Sequence, residues 1–284
     1  MTDILLQGVL LGGLYALFAL GQSLMFGVMR LTNTAQGDFI ILGGFFAISL
    51  VAATGLSPAT AMLLIAPTAF VFGYLLQRFV LNGTLGKDPL PSLVVTFGLA
   101  IVIQNLLLEI YSADPRSLDA GGIALDSIAL GSSTVGTLPL LTLAVALLAT
   151  IGLQALFSFT PLGRSFRAVS DDSEAARLMG IRPAIVYAQA TGLAFVLIAI
   201  AGTLQAMRTT VAPSDGPLLL LFAFEAVIIG GMGSFWGTLL GALLLGVAQQ
   251  IGFRFDPGWG IWFGHLTFLT VLLVRPQGMF PKTR

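Results

Sequence analysis

The sequence predicts an all-α membrane protein, a polytopic helical bundle of eight or nine spans. Three observations predict it. Of 284 residues 56% are hydrophobic and 9% charged, against about a quarter charged in soluble domains. The mean hydropathy is +0.96, and the apolar runs recur from end to end, so the bilayer must be the solvent for most of the chain. The runs are continuous and rich in Leu, Ala, Gly and Val, as helices are, with none of the short alternation of a membrane barrel.

A hydrocarbon core of about 30 Å takes roughly 20 helical residues, fewer where a helix is broken inside protein. That length divides the chain into spans near 4–28, 38–54, 59–80, 91–112, 138–158, 184–206, 217–231, 235–253 and 260–274. They form a single membrane domain, 1–284, with two polar loops, about 113–137 and 160–183. No basic stretch precedes the first apolar run, so it reads as a retained span rather than a cleaved signal peptide.

Lys and Arg are retained on the cytoplasmic side. With Met1 outside, the alternation puts Arg30, Arg78, Lys87, Arg164, Arg167, Arg177, Arg182, Arg275, Lys282 and Arg284 inside. Only Arg116, Arg208 and Arg254 then fall outside. The expected orientation therefore has the N-terminus outside, the C-terminus cytoplasmic and loop 160–183 cytoplasmic.

Formal net charge is zero, so bulk electrostatics offers nothing to a nucleic acid. The absence of cysteine excludes disulfides and thiolate metal sites. Small residues at helix-packing spacing, Gly8 with Gly12, Gly233 with Gly237 and Gly241, and Gly260 with Gly264, mark close helix approach. A fainter signal is an echo: Asp38 and Glu225 each stand five residues before a glycine pair, Gly43-Gly44 and Gly230-Gly231, in segments of opposite direction. Inverted repeats with broken helices are an arrangement such an echo would produce in a transporter.

The densest chemistry is in loop 160–183. Asp171, Asp172 and Glu174 suit a helix N-terminus, with Asp171 and Glu174 spaced as a capping box, and Gly180 followed by Pro183 marks the stop. Ala175, Leu178 and Met179 fall on one face as a small apolar ridge. The ridge lies either against the bundle and membrane surface or in a partner's groove.

Glu174-Ala175-Ala176 followed by Gly180 resembles the coupling motif of ABC importer permeases, whose cytoplasmic helix docks into an ATPase subunit. The resemblance continues through Asn33-Thr-Ala-Gln-Gly-Asp38 with Leu42-Gly43, Leu90 to Leu99, Glu174 to Ile181, Gly230-Gly-Met-Gly-Ser234 with Gly237, and Val274 to Phe280. Together and in this order these strings are similar to the branched-chain amino-acid permease family, which also serves amides and urea. The chain departs at Thr34 and Gln36, where members carry an aromatic and a histidine; this bears on the solute.

The resemblance implies a heteromeric importer of a small polar or amino-acid-like solute, chiefly branched-chain or other hydrophobic amino acids. Its partners would be a second related permease, two ATP-binding subunits and a periplasmic solute-binding protein. ATP and Mg would reside in the ATPases, because this chain has no Walker-type phosphate loop; it is expected to carry no cofactor of its own and no catalysis. The residues expected to couple to the ATPase are Asp171, Glu174, Ala175, Ala176, Leu178, Met179 and Gly180.

Polar groups within hydrocarbon cost free energy and face the bundle or water, which singles out Asn33, Gln36, Asp38 and Glu225 for the solute pathway. For Asp38 a helix cap is the plainer role, and Glu225 lies eight residues into an apolar run. His265 is expected to bond between helices, since no second metal ligand stands at i+3 or i+4. Glu109 reads as interfacial. A proton- or ion-coupled secondary transporter using Asp38 and Glu225 is the competing function, but it has no need of a capped cytoplasmic helix. An intramembrane enzyme lacks any Ser/His pair, Asp pair or metal motif at workable spacing.

Overall fold

The computed structural model describes residues 2–86, 90–130 and 133–280; Met1, Lys87, Lys282 and Arg284 lie outside them. Among the described residues eight helices are long and apolar enough to cross a membrane. They are α1 (Thr2–Met29), α2 (Gln36–Thr54), α3 (Pro58–Phe79), α4 (Leu90–Tyr111), and, after a short α5 (Gly122–Leu125) and a hairpin of β1 (Ser127–Leu130) and β2 (Ser133–Gly136), α6 (Thr137–Phe159). Then come the loop helices α7 (Pro161–Asp171) and α8 (Ser173–Leu178), followed by α9 (Pro183–Arg208), α10 (Gly216–Gly230) and α11 (Phe235–Phe255). The turn Pro213–Asp215 extends α10 to an 18-residue span, and a further apolar helix of 16 residues, α12 (Trp259–Val274), follows. The molecule is thus a polytopic α-helical bundle.

The helices begin and end where local chemistry directs. Ser57 caps α3 by accepting from the Thr60 amide, with Pro58 at its first position, and Thr160 caps α7 through the Gly163 amide ahead of Pro161. The polar stretch 113–137 was expected as a loop; it holds the antiparallel hairpin, with Ser127 opposite Gly136. Arg116 and Val211 exchange backbone hydrogen bonds, and the Leu118 amide donates to the Ala206 carbonyl, so this loop covers the C-terminal end of α9.

The core has two related halves. In the first, α1 is followed by a non-helical segment, 30–35, and then α2, α3 and α4; in the second, α9 is followed by 209–215 and then α10, α11 and α12. α1 packs on α11 as α9 packs on α3, and α1 and α9 pack on each other at the centre. α2 lies against α9 as α10 lies against α1. This is an inverted repeat with broken helices. The echo between Asp38 and Glu225 pairs positions that do not correspond: Asp38 is the third residue of α2, whereas Glu225 is the tenth of α10. Their helix starts, Gln36 and Gly216, are what correspond.

Close helix approach follows the small residues. A Cβ on Gly12 would collide with the α11 backbone at Ala242 and Leu243, and one on Gly246 with Gly8 and Gly12. Gly230 and Gly241 similarly bring α10 and α11 into backbone contact. Gly98 on α4, by contrast, faces open space. Gly12→Leu is therefore expected to lower the thermal midpoint of the detergent-solubilised protein by several degrees, in line with the ~1–3 kcal/mol cost of overpacking, while Gly98→Leu leaves it unchanged; a thermal-shift measurement of the two variants checks this.

Candidate functional site: a junction of broken helices

α1 runs 28 residues without a break, but the chain after it turns back into the protein. The Gln36 side-chain amide donates to the Phe18 carbonyl at 3.1 Å, and Phe18 lies eleven residues, or roughly 16 Å, from the end of α1. α2 therefore begins near mid-depth. Its start is unusual for an exposed helix: Ala35 at the N-cap offers no side-chain bond, and Asn33 Oδ1 accepts from the Ala35 amide at 3.0 Å.

α10 begins at the same place from the opposite side. Gly37 sits against the Gly216 carbonyl and the Leu220 amide, and Gly216 sits against the Asp38 carboxylate, in each case with no room for a Cβ. Two helix N-termini thus meet head to head inside the bundle. Both carry partial positive charge, and Asp38 stands between them, 2% exposed. The Asp38 Oδ1 accepts from Gln104 Nε2 of α4 at 2.8 Å. Asp38 is not the N-cap of α2: it is the third residue of the helix, within its first turn, and its carboxylate accepts from Gln104 on α4.

α4 supplies a file of polar groups toward this junction. Ser92 Oγ lies 3.0 Å from Thr84 Oγ1 and Thr96 Oγ1 lies 2.8 Å from Thr34 Oγ1, with Gln104 reaching Asp38 deeper in. Below the file is a half-polar vestibule of about 620 Å³ lined by Arg30 to Thr32, Ser92, Asp171, Asp172, Glu174 and Tyr187. Asn33 Nδ2, Gln36 Oε1 and Gln22 Oε1 are buried without a hydrogen-bond partner among the described residues. The junction thus offers hydrogen-bonding groups of both signs at membrane depth, which a polar solute can use and an apolar wall cannot.

Glu225 is elsewhere. Its Oε1 bonds His265 Nδ1 of α12, joining two residues whose sequence positions are forty apart; the helix-to-helix bond expected for His265 is present. Glu225 Oε2 has no partner among the described residues. Tyr15 of α1 donates to Gln249 Oε1 of α11 at 2.6 Å, and the Tyr15 ring lies 4.8 Å from that of Phe222. Asn33, Gln36 and Asp38 are brought together with Gln104, while Glu225 belongs to this second cluster. Sequence reasoning missed Gln104, Tyr15 and Gln249; the signal was present, since each is a polar residue within an apolar run.

The loop helices lie beside the vestibule. Asp172, not Asp171, caps α8: its Oδ1 accepts from the amides of Glu174 and Ala175, whereas Asp171 is the last residue of α7. The structure shows no return bond from Glu174. Ser170 Oγ donates to the Gly27 carbonyl at 2.7 Å and ties α7 to the end of α1. Ala176 is buried against the bundle, while Leu178 and Met179 are 89% and 83% exposed. Gly180, at φ +85°, ends the helix in the left-handed region that glycine tolerates.

A family model described as the branched-chain amino acid transport system permease component matches residues 4–274. The chain belongs to this family. It is 30% identical to the high-affinity branched-chain amino acid transport permease BraD of Pseudomonas aeruginosa, covering 98% of this chain and 95% of that one. To LivH of Salmonella typhimurium it is 26% identical over 97% and 94%. LivM of the same organism is 28% identical over 95% of this chain and 68% of that protein. A chain of PsaBC from Streptococcus pneumoniae in complex with Fab shares the fold, with a TM-score of 0.50 and 12% identity over 96% and 92%. The chain is thus a multi-pass transport permease of the ABC type.

Two outcomes test the clusters. Glu225→Gln keeps a neutral partner for His265 and is expected to retain most transport, whereas Glu225→Lys buries a cation beside an imidazole and is expected to lose it, by ~100-fold or more given several kcal/mol for an unpaired buried charge. Uptake normalised to membrane level reads both. Gln104→Leu strips the Asp38 carboxylate of its donor and is expected to cost about 1.5–3 kcal/mol in stability, which denaturation of the purified protein measures; Gln104→Glu, placing two carboxylates together, is expected to cost more.

Proposed function

We propose that this chain is one permease half of an ATP-driven importer that brings a branched-chain amino acid, or a small solute like one, across the bacterial inner membrane. The names of BraD and LivH supply the solute class. The chain's similarity to both LivH and LivM supports pairing with a second, related permease. Two ATPase subunits, binding ATP and Mg, would dock below, and a periplasmic binding protein would deliver solute above.

The observation that carries the coupling is the two-sidedness of α8. One side is fixed to the bundle through Ala176 and, by way of α7, through the Ser170 bond to the end of α1; the other presents Leu178 and Met179 outward. An apolar pair held out on an anchored helix is stabilised by a partner's groove. Ala176 then acts on the bundle side of the lever and not in the groove, while Glu174, Ala175 and Gly180 frame the ridge. In this orientation residues 30–32, 160–183 and 275–280 are cytoplasmic, the N-terminus is outside, and the arginine-rich ends of the spans obey the positive-inside rule.

Solute would reach the junction of α2 and α10 and leave past the polar groups of α4 into the vestibule beside α8. Leu178→Asp tests the coupling. The exposed site should leave chain level in the membrane unchanged, yet uptake and solute-stimulated ATP hydrolysis of the assembled importer should fall at least about tenfold, as truncation of an interface anchor costs 2 kcal/mol or more. Unaltered uptake and ATPase stimulation would contradict the assignment.

A further inference from the structure

Three arginines line one depression at the same end of the molecule as α8. It measures about 750 Å³ and is lined by Arg78 at the end of α3, Arg177 in the last turn of α8 and Arg182 just before α9, with Phe79 and Asn82 between them. Among the described residues no acidic side chain lines it. All three arginines are exposed, and none is in an ion pair among the described residues. Arg78 has only a 3.5 Å contact to the Tyr74 hydroxyl.

Two walls of this depression are ends of membrane-spanning helices, which places it at headgroup level. From it an apolar stripe climbs α3: Phe79, Leu75 and Phe72 are all exposed and recur at i, i−4 and i−7. The stripe leads into a groove of about 230 Å³ between α2, α3 and α9, lined by Phe72, Ala69, Ile65, Phe195 and Ile198 and almost without polar surface. Phe79 lines the arginine depression and Phe72, seven residues or roughly 10 Å above it on the same face of α3, lines the groove, so the exposed stripe joins a basic headgroup site to an apolar cleft.

We propose that this face holds an anionic phospholipid, its phosphate in the arginine depression and an acyl chain along α3 in the groove against α9. Charge complementarity selects a negatively charged headgroup, because three unpaired guanidinium groups bind phosphate as hydrogen-bonded forks. The attached apolar cleft selects a lipid over a free anion. The bound lipid would brace the α3–α9 contact and the chain leading from α8 into α9. The inference rests on the membrane location and not on the ATPase reading, and Arg177 is left intact in the test for that reason.

The experiment uses the full chain purified in mild detergent, with bound lipid counted by native mass spectrometry after titration with phosphatidylglycerol, phosphatidylcholine or water-soluble glycerol phosphate. Phosphatidylglycerol is expected to be retained over phosphatidylcholine, and Arg78→Gln/Arg182→Gln is expected to bind it roughly ten- to thirty-fold more weakly. Ala69→Phe, which fills the groove and leaves the arginines, should also weaken retention. Equal retention of the two lipids, an unchanged double variant, or glycerol phosphate binding as tightly as the lipid would each overturn the proposal. So would a double variant that keeps its lipid but no longer associates with the ATPase subunits, which would make the arginines part of that interface.

Discussion

Two helix N-termini facing each other inside a low-dielectric bundle repel, since each carries about half a positive charge and unpaired amides. The structure brings the starts of α2 and α10 to within backbone contact nonetheless, because Gly37 and Gly216 have no Cβ to hold them apart and Asp38 places a carboxylate between them. The rest follows from this contact. α2 can start at mid-depth only if segment 33–35 is covered by protein, and Gln36, Thr34 and Asn33 provide the bonds to α1, to α4 and to its own backbone. Irregular backbone within a membrane is tolerated only under such cover.

The same contact gives the molecule its symmetry. One broken helix comes from each half and each is packed on the long first helix of the other, α2 on α9 and α10 on α1. The long helices α1 and α9 are heavily buried, while α3, α4 and α6 present most of their surface outward. Polar groups follow this division. They concentrate where the broken helices begin and where α4 runs past them, and a second group, Glu225 with His265 and Tyr15 with Gln249, ties the second half together. A solute pathway beside the first group and a stabilising clamp in the second is the simplest assignment of these two clusters.

Much of this was legible in the amino-acid sequence. The spans emerged from hydropathy and length, the small-residue contacts from Gly8, Gly12 and Gly241, and the family from motifs spread over the chain. The loop helix was legible in kind but not in detail, because Asp171 and Asp172 both precede its first turn and only backbone geometry decides that Asp172 caps it. The repeat was visible as acid and glycine patterns in the wrong register, since what the two halves share is a break in a helix, and a break is written in Asn33 to Gly37 on one side and Pro213 to Gly216 on the other with different residues. Gln104 was illegible as a partner of Asp38: a residue sixty-six positions away becomes a neighbour only through tertiary packing.

The start of α2 beside α4 within the membrane, on which the junction depends, has a direct chemical test, helped by the absence of native cysteine. Thr34, just before α2, and Thr96, on α4, have hydroxyls 2.8 Å apart, so cysteines at both positions lie within disulfide reach. In native membranes, mild oxidation of Thr34→Cys/Thr96→Cys is expected to join the two peptides in mass spectra and to stop uptake until a reductant is added. A chain that assembles and transports yet never forms this bond would show that α2 does not begin beside α4 within the membrane, and the account of the junction would fail.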